Sequence, residues 1–424
     1  MSDKELLKKK AIEIIQNLRN HGYKAYLCGG CVRDLILQRT PKDYDIVTNA
    51  RSQDVQQIFT RTIPVGISFG IIRVLIEQDE FEIATFRKDG TYSDGRHPDS
   101  IEFCDEKEDA LRRDFTINGL FWNPLENKII DYVGGQDDIQ KKLLRTIGNA
   151  QERFLEDHLR MMRAVRFAGQ LDFNIEENTW QTICSMSEKI LTISKERIRD
   201  ELSNILLSQN PALSIRLLQQ SKLLTQIFPK YDIDSLEIVL SMFQQGTPFQ
   251  SLEEALCILF FSWNHKLTLI ESNNPYLLYS MNTAPFFQWL PMLCWSRKTL
   301  DYLELFFQYF INFQYIMTMK EAQFKRFIRL TYFQSFLKIY YLYCKATNQD
   351  LISYTTCINK MQLYTQEDLF PKALVNGNDL IKLGFHPGPI IKKILQDIET
   401  QQLQLNIHTK EEAIQFVTSQ YNIL

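Results

Sequence analysis

The sequence predicts an α+β fold, in which a small head with a β-sheet occupies about the first 145 residues and helices make up the remainder. Two patterns support this fold class. Short apolar runs bounded by glycine and other turn residues indicate strands in the head. They lie before Gly29, around Asp43 and Asp45, and at residues 71–76, 81–86 and 129–135. From about residue 212, leucine, isoleucine and phenylalanine recur at helical spacing, in segments separated by prolines.

The composition is that of an ordinary soluble protein. Of 424 residues, 45% are hydrophobic and 23% are charged, and no apolar run is long enough to cross a bilayer. The N-terminal charges lead into a helical pattern at residues 4–21 and not into a signal peptide. Eight cysteines without framework spacing favour the reducing cytoplasm. The formal net charge of −3 leaves nucleic-acid binding undecided, because a local basic groove is sufficient for it.

The stretch YLCGGCVRDLILQRTPKDYDIVT, residues 26–48, predicts a strand, a turn, a helix and a second strand. Gly29 and Gly30 leave backbone N–H groups unobstructed where the helix begins, which is a favourable place for phosphate. Arg33 follows in the first turn of the helix and can pair with that phosphate. The turn therefore predicts a phosphate-binding site.

Asp43 and Asp45 are two residues apart, so on a strand their side chains point to the same face of the sheet. Two adjacent carboxylates repel each other unless a cation lies between them, and oxygen ligands of this kind suit Mg²⁺. A phosphate site and metal-binding carboxylates within one short unit predict phosphoryl or nucleotidyl transfer.

Cys28 and Cys31 form a CxxC pattern beside the glycine turn. The pattern is compatible with a redox pair or with half of a zinc site, but no second CxxC follows it. We therefore interpret both cysteines as packing residues.

The motif GGCVRD followed by DYDIV resembles the signature of the polymerase-β-like nucleotidyltransferases, and specifically the bacterial class II tRNA nucleotidyltransferase and poly(A) polymerase family. The resemblance implies a mixed, mostly antiparallel sheet in the head, followed by an all-α neck, body and tail. It implies a catalytic nucleotidyltransferase head at residues 1–145, a neck with a nucleotide-selection helix at 146–211, a body at 212–345 and a tail at 346–424 that contacts tRNA. Asp43 and Asp45 would then hold two Mg²⁺ ions.

Glu82, in the strand FEIATFR, falls where the family has a third carboxylate beside the two aspartates. There it would complete metal coordination or help to deprotonate the attacking 3′-hydroxyl. The alternative is an ordinary exposed glutamate on a strand. The polar residues 87–111 that follow predict a loop. The resemblance associates this loop with the switch between C and A addition.

The segment RRDFTIN, residues 112–118, resembles the family's RRDFTxN motif. Adjacent cations next to an apolar segment need partners, and the triphosphate and ribose of a nucleotide would provide them. We predict that Arg113 contacts the nucleotide, and that Asp114 positions Arg113 or meets the ribose. An internal Arg–Asp pair is the alternative.

A helix is predicted from Glu152, with the sequence ERFLEDHLRMMRAVRFAGQLDF. Asp157, Arg160, Arg163 and Arg166 recur every three residues and drift slowly round one face. This pattern is compatible with a solvated helix face, but EDxLR followed by RAxRF resembles the family's nucleotide-selection motif. The four residues are therefore predicted to bind the nucleotide.

Hydrogen bonding explains how such residues would select a base. C and A each present an exocyclic amine donor next to a ring-nitrogen acceptor, so Asp157 can accept from the amine while Arg160 donates to the ring. U and G present the reverse pattern, which a polar site rejects strongly. Protein side chains would then replace a nucleic-acid template.

Later segments carry weaker signals. Residues 194–207 predict a structural helix of the neck, and the aromatic residues between 300 and 345 predict a core. Four basic residues interleave with these aromatic residues and are candidate phosphate contacts. They are Lys320, Lys325, Arg326 and Arg329.

By resemblance, the reaction is transfer of nucleoside monophosphate from CTP or ATP to the 3′ end of tRNA, with release of pyrophosphate. Poly(A) polymerase shares these motifs, and A-only addition beside a separate CC-adding enzyme is a further alternative. An RNA-binding protein without activity belongs to a different class, and the intact carboxylates argue against it. The sequence makes no prediction about the oligomeric state.

Overall fold

The structure is a computed structural model, and it describes residues 3–66, 70–90, 100–229, 231, 233–246, 248–249, 251–261, 269–271, 279–281 and 290–421. The chain divides into two compact units, residues 1–231 and 232–424. The four-part division that the sequence predicts is finer than this and stays a prediction. Across the described ranges, none of the helices combines the length and the hydropathy that a bilayer crossing needs.

The strands of the first unit build one large sheet and two short pairs. They are β1 (Ala25–Cys28), β2 (Ile46–Thr48), β3 (Thr62–Gly66), β4 (Ile71–Ile76), β5 (Asp79–Thr85), β6 (Arg87–Asp89), β7 (Ile101–Phe103), β8 (Leu120–Asn123), β9 (Lys128–Asp131), β10 (Leu143–Leu144) and β11 (Asn174–Ile175). Seven of them form a sheet with the order β3-β4-β5-β2-β1-β8-β9. Neighbours in this sheet are antiparallel, except that β2 and β5 run parallel. The prediction of a mixed, mostly antiparallel sheet in the head is confirmed.

The parallel pair β2–β5 brings two of the predicted carboxylates together. Ile46 pairs with Ile83, so Asp45 and Glu82, each one residue earlier in the chain, stand at neighbouring positions. The Asp45 carbonyl also accepts a hydrogen bond from the Cys28 N–H at 3.0 Å, which continues the pairing with β1.

The prediction that both aspartates lie within a strand is wrong, because β2 begins only at Ile46. Asp43 and Asp45 lie in the extended segment before the strand. Their alternation is nevertheless as predicted: Tyr44 and Ile46 are buried, whereas the two aspartates are exposed.

The helices of the first unit surround this sheet and continue beyond it. They are α1 (Asp3–Asn20), α2 (Gly30–Ile36), α3 (Ser52–Ile58), α4 (Glu106–Leu111), α5 (Gly135–Gln140), α6 (Ala150–Glu156), α7 (Arg160–Leu171), α8 (Glu177–Met186), α9 (Lys195–Leu206), α10 (Pro211–Gln220) and α11 (Leu223–Ile227), with 3₁₀ turns at Thr116–Asn118 and Ser187–Thr192. The amphipathic helix predicted at residues 4–21 is confirmed as α1. Helix α7 packs against α9 and α10.

The polar segment 87–111 contains regular structure that the sequence did not indicate. Strands β6 and β7 pair as an antiparallel hairpin, and α4 follows with Asp105 as its N-cap. The loop prediction is therefore wrong for these parts, and residues 91–99 lie outside the described residues. Arg87 stands opposite Phe103 in the register of the hairpin, and few apolar residues mark its strands in the sequence.

The second unit is helical over most of its described residues. Its elements are α12 (Leu236–Gly246), α13 (Leu252–Leu259), α14 (Arg297–Phe310), α15 (Glu321–Ile328), α16 (Phe333–Ala346), α17 (Ile352–Met361), α18 (Gln366–Leu369), α19 (Gly377–Lys382), α20 (Pro389–Leu403) and α21 (Lys410–Gln420), with 3₁₀ turns at Leu290–Leu293 and Ile311–Thr318. One antiparallel hairpin, β12 (Leu269–Glu271) with β13 (Tyr279–Met281), departs from the predicted all-helical body.

Aromatic side chains form the interior of the second unit, as the sequence predicts. Phe306, Phe310 and Phe313 are completely buried, and the ring of Phe313 stacks on that of Tyr340 with 5.1 Å between centroids. Large aromatic side chains supply much of the apolar area that a helical core buries.

The basic residues of this segment mostly have structural partners. Lys325 is 1% exposed, and its Nζ donates to the Leu403 carbonyl at 2.9 Å. Arg326 is also buried and pairs with Glu399 at 2.8 Å, and Arg329 pairs with the same carboxylate at 2.9 Å. The interpretation of these three as phosphate contacts is wrong, because their cationic groups are already bound to partners within the unit.

The CxxC cysteines are free thiols in the core beside the glycine turn. Burial raises the pKa of Cys28 to about 11 and raises that of Cys31 as well. A thiol with a raised pKa is a weak nucleophile and a poor metal ligand, so both residues act in packing, as interpreted from the sequence.

Candidate active site

One cleft of about 590 Å³ in the first unit contains every predicted site residue except Glu82. Residues from the turn before α2, the segment before β2, the RRDFTIN segment and helix α7 line it. Arg112, Asn118 and Phe167 line it too, although they were not singled out from the sequence. Glu82 lines an adjacent cavity of about 200 Å³ that shares Asp45 with the cleft.

The glycine turn has a backbone that other residues adopt only with strain. Gly29 has φ 69° and ψ −130°, and a Cβ at this position would lie 3.1 Å from Arg113 Nη1. Gly30 begins α2, and a Cβ there would meet Arg33 at an ordinary 3.7 Å. Gly29 therefore allows the close approach of Arg113 to the start of the helix.

Arg33 lines the cleft, and hydrogen bonds to two neighbouring side chains fix its orientation. Its side chain is buried, and it donates to Asp34 Oδ1 at 2.7 Å and to Asn118 Oδ1 at 2.8 Å. Asn118 in turn donates to Asp114 Oδ1 at 3.1 Å. One asparagine thus connects the α2 arginine with the RRDFTIN segment.

Asp109, and not Asp114, positions Arg113. The completely buried Asp109 accepts from Arg113 Nη2 at 3.0 Å through one oxygen and from Arg112 Nη2 at 2.8 Å through the other. Although burial opposes it, the charges of Arg113 and Arg112 lower the pKa of Asp109. The predicted pairing of Arg113 with Asp114 is therefore wrong, because the i, i+4 partner on α4 takes its place.

Asp114 instead pairs with Arg163 of helix α7. Its Oδ2 accepts from Arg163 Nη2 at 2.6 Å and from Nε at 3.0 Å, which is a bidentate use of the guanidinium. Burial alone would raise the pKa of Asp114, but the charge of Arg163 and the hydrogen bonds from Arg163 and Asn118 lower it to about 2. The pair connects the sheet domain with the helix predicted to select the nucleotide.

The selection helix is interrupted. The sequence predicts one helix from Glu152, but α6 ends at Glu156 and α7 begins at Arg160. Asp157 has an extended backbone, with φ −150° and ψ 104°, and its Oδ1 accepts from the Leu159 N–H at 3.0 Å. The single-helix prediction is wrong because the extended backbone of Asp157 ends the first helix, and its side chain bonds to the turn that precedes the second.

Two acidic residues hold the ends of this pair of helices. Arg160, which is buried, donates to Glu156 and to the Arg153 carbonyl, the latter at 3.0 Å. The Arg166 Nε donates to Glu201 of helix α9. The guanidinium groups of Arg160 and Arg166 are therefore both oriented by internal hydrogen bonds, and their N–H donors are positioned before a nucleotide binds.

Phe167 is surrounded by three guanidinium groups. The Cζ atoms of Arg33, Arg163 and Arg166 lie 5.2, 5.3 and 4.1 Å from its ring centroid. A cation over an aromatic face is stabilised by the ring's quadrupole. The ring therefore helps to hold three arginines close together, in addition to the carboxylate that each of them contacts.

The carboxylates at the mouth of the cleft fit a divalent cation. Partial burial, followed by the charges of Asp43 and Glu82, raises the pKa of Asp45 to about 6. Mutual repulsion of this kind is relieved when a cation binds between the groups.

The number of carboxylates also suits a metal shared with a substrate. Within the described residues, no three His, Cys, Asp or Glu side chains stand together closely enough to form a metal site by themselves. Mg²⁺ characteristically binds one or two carboxylates together with waters and substrate phosphates. Asp43 and Asp45 meet that requirement, and Glu82 stands beside them in the neighbouring cavity.

Sequence reasoning missed the residues that hold the site together. Asn118 and Asp109 are both buried and polar, but one sequence does not show which partner a buried polar residue meets. The i, i+4 spacing of Asp109 and Arg113 was a readable signal. For Arg197, which donates to Asp157 Oδ2 at 2.7 Å from 40 residues away, no local pattern exists.

Three protein-family models match segments of the chain. The family described as "Poly A polymerase head domain" matches residues 25–145. The family described as "Probable RNA and SrmB- binding site of polymerase A" matches residues 172–234, and the one described as "tRNA nucleotidyltransferase domain 2 putative" matches residues 309–417. The three matches together extend from the head to the C-terminal helices.

Individual relatives and solved structures agree with one another. The CCA-adding enzyme of Bacillus cytotoxicus is 30% identical over 424 residues, which is 98% of this chain and 99% of the relative. That of Oceanobacillus iheyensis is 39% identical over 250 residues, which is 59% of this chain and 62% of the relative. The crystal structure of the Bacillus stearothermophilus CCA-adding enzyme in complex with CTP superimposes with a TM-score of 0.77 and 26% identity, covering 99% of both chains. The chain therefore belongs to the family of the CCA-adding enzymes, the class II tRNA nucleotidyltransferases.

Proposed function

We infer that the protein adds C and A from CTP and ATP to the 3′ end of tRNA, without a nucleic-acid template. In each cycle the 3′-hydroxyl oxygen attacks the α-phosphorus, the bond to the β-phosphate oxygen breaks, and pyrophosphate leaves. One observation carries the inference: the glycine turn, the two aspartates and the Asp157–Arg160 pair line a single cleft. Reaction centre and base-selecting groups are then within reach of one nucleotide.

Asp43 and Asp45 are the residues that would hold divalent metal ions, which we take to be Mg²⁺. Bound there, the ions would activate the 3′-hydroxyl and neutralise charge on the triphosphate. Glu82, at the position next to Asp45, is the candidate to receive the proton of the 3′-hydroxyl or to complete the ligand set. The pKa of Asp45, which burial and then the charges of Asp43 and Glu82 raise, is consistent with this assignment.

The cations of the cleft would bind the triphosphate and orient it. Gly30 begins α2 at the cleft, and Arg33 and Arg113 are each fixed by an internal carboxylate before any nucleotide arrives. A guanidinium that is already oriented loses little conformational freedom when phosphate binds. Asp114 and Arg163, joined to each other, are the candidates to meet the ribose.

Asp157 and Arg160 would read the base. The Asp157 carboxylate accepts from the exocyclic amine of C or A, and the Arg160 guanidinium donates to the adjacent ring nitrogen. Arg160 already donates through Nη1, and a guanidinium has five N–H groups, so donors remain for the base. UTP and GTP would place a carbonyl against Asp157 and an N–H against Arg160, which leaves charged groups unpaired.

The predicted parts of the chain have corresponding roles in this proposal. Residues 1–145 would carry the chemistry, residues 146–211 the nucleotide selection, and residues 346–424 the contacts with tRNA, with residues 212–345 as the helical body between them. We place the reaction in the cytoplasm, because all eight cysteines are free thiols, as a reducing compartment maintains them.

The test is to incubate the purified protein with tRNA that lacks its CCA end and with each labelled nucleotide in turn. Addition of C and then A supports the proposal. Long A tracts on any RNA would identify a poly(A) polymerase, and A added only to a supplied CC end would identify an A-adding enzyme. No incorporation at all would indicate an RNA-binding protein.

A variant separates chemistry from folding in the same assay. Asp43→Ala should abolish incorporation with little loss of stability, because the Asp43 side chain is exposed. Full activity of this variant would refute the metal assignment.

A further inference from the structure

His158 lies at the break between α6 and α7, and the proposed reaction does not use its imidazole. The residue follows Asp157, the acid proposed to read the base, and its carbonyl accepts from the Met161 N–H at 3.2 Å. His158 is not among the residues that line the cleft. Its ring contacts the 3₁₀ turn at Ser187–Thr192 instead, where 2.9 Å separate His158 Nδ1 from Thr192 Oγ1.

The hydrogen bonds of Thr192 determine the tautomer of this imidazole. The Thr192 hydroxyl donates its single hydrogen to the Lys189 carbonyl at 2.8 Å. The hydroxyl oxygen can therefore only accept from His158, so Nδ1 carries the hydrogen of the ring. A neutral imidazole in this tautomer has a lone pair, and no hydrogen, on Nε2.

The surroundings of Nε2 suit a lone pair better than an N–H group. The atom is buried, and over the ranges that the structure describes it has no hydrogen-bond partner. Protonation would create a buried N–H donor without an acceptor, which typically costs about 1–3 kcal/mol. The bond to Thr192 is therefore a contact of the neutral ring.

Two charges act on the ring with opposite signs. Burial and then the charge of Lys189 lower the pKa of His158 from 6.5, and the charge of Asp157 offsets only part of this effect. Because the pKa is lowered in the folded state, the ring is fully stable in its place above pH 6.5. It is destabilised there as the pH falls below that value.

A protonated ring that leaves this place has an acceptor next to it. Asp157 is the adjacent residue, and its carboxylate is the group proposed to accept from the exocyclic amine of C or A. A hydrogen bond between an imidazolium and a carboxylate is charge-assisted, so it is stronger than the bond that a neutral amine donates. The protonated ring would therefore compete with the base for Asp157.

We propose that His158 makes base selection sensitive to pH. In its neutral form it is held by Thr192 and leaves Asp157 to the base, whereas in its protonated form it turns toward Asp157 and interferes with base reading. The inference rests on the proposed function, because it concerns when the same carboxylate is free to read a base. His158 is thus a positioning residue that touches neither the base nor the reacting atoms.

The test is the nucleotide selectivity at pH 8 and at pH 5.5, measured as the ratio of kcat/KM for CTP to that for UTP. In the wild type this ratio should fall about tenfold at the lower pH, because a mismatch at Asp157 is then no longer rejected strongly. Protonation of Asp45 should slow the transfer of every nucleotide alike, so it cancels in the ratio. Protonation of the nucleotides themselves cancels when variants are compared at one pH.

Three variants separate the role of this ring from other effects of pH. His158→Asn keeps a donor in the place of Nδ1 but does not titrate, so its ratio should change much less between the two pH values. Thr192→Val removes the acceptor and should shift the loss of selectivity to a higher pH. The matched control is His21→Asn, because His21 is exposed and its Nδ1 lies 2.9 Å from the Asn17 carbonyl of α1. It should keep the wild-type pH dependence.

The imidazole can also be followed directly by NMR. The chain has six histidines, and the signal that disappears in His158→Asn identifies His158. The pKa of this ring should lie below 6.5 in the wild type and should rise in Thr192→Val. A wild-type ring that titrates at or above 6.5 overturns the proposal, whatever the activity of the variants.

The outcomes distinguish this inference from the proposed function. A wild type that adds neither C nor A to tRNA overturns the role of His158 together with the function. If the wild type prefers CTP to UTP at pH 8, but its ratio is unchanged at pH 5.5 or falls equally in His158→Asn, only the role of His158 is wrong. Thermal unfolding at both pH values identifies a loss of fold, which lowers the use of CTP and UTP by the same factor.

Discussion

Replacing Asp45 by asparagine should abolish nucleotide transfer and at the same time stabilise the metal-free protein. The substitution keeps the size of the side chain but removes one charge from the crowded carboxylates at the mouth of the cleft. Transfer should stop because asparagine is a poor ligand for a divalent cation. Stability should rise because the folded protein holds the ionised Asp45 at an energetic cost.

The size of the stabilisation follows from the pKa. Burial and then the charges of Asp43 and Glu82 raise the pKa of Asp45 from 3.8 to about 6. At about 1.4 kcal/mol per pKa unit, this shift corresponds to about 3 kcal/mol. Because the Asp45 side chain is exposed, solvent screens the interaction, and we expect about 1 kcal/mol.

The sign of the effect gives it a characteristic pH dependence. A carboxyl whose pKa is raised in the folded state binds protons more tightly there, so its ionisation destabilises the fold as the pH rises from 3.8 to about 6. Wild type and Asp45→Asn should therefore be equally stable near pH 4. The variant should be the more stable one at pH 7.

The assay is urea unfolding of both proteins at the two pH values, with a chelator and again with MgCl₂. Metal ions should stabilise the wild type and not the variant, which removes or reverses the difference at pH 7. Asp137→Asn, at an exposed aspartate of the same unit, is the control and should gain no stability. A variant less stable than wild type at pH 7 in chelator would refute the reasoning.

Two other substitutions test the framework around the nucleotide. Asp114→Asn should cost about 2.5 kcal/mol at pH 7, which is the value of a pKa lowered from 3.8 to about 2 by the bond to Arg163. This contribution is complete above pH 3.8 and is lost as the pH falls toward 2. Urea unfolding at pH 3 should therefore show a smaller difference in the free energy of unfolding between wild type and variant than at pH 7. Equal stability of the two proteins at pH 7 would contradict the pairing of Asp114 with Arg163. Gly29→Ala should be destabilising by roughly 1–3 kcal/mol and should raise the KM for nucleotides, because it strains a positive φ and displaces Arg113. Gly30→Ala is the matched control, and it should change the free energy of unfolding and the KM for nucleotides much less. Similar KM values for the two variants would argue against this role of Gly29.

Local patterns made the main features of the site predictable from the sequence. The glycine turn, the pair of aspartates and the arginines of α7 each depend on residues a few positions apart, and spacing alone indicates which side chains share a face. The same reasoning predicted the aromatic core of the second unit.

Contacts between distant segments were not predictable in this way. Whether Arg113 pairs with Asp109 or Asp114 depends on how α4 packs, and the choice decides which acid is left for Arg163. The break at Asp157 was hidden because the residues on both sides continue the helical period. Lys325 carries a charge that suggests solvent or phosphate, yet its partner is a backbone carbonyl 78 residues later.

The parallel pairing of β2 with β5 has a consequence for the order in which the enzyme becomes competent during synthesis. Antiparallel neighbours can form as soon as a hairpin has left the ribosome, but a parallel partner requires a crossover that is already complete. Asp45 and Glu82 are brought together only through this pairing. A nascent chain that ends before β5 therefore has the aspartates and the glycine turn but not the third carboxylate, and the three acidic side chains come together only after that strand has emerged and paired with β2.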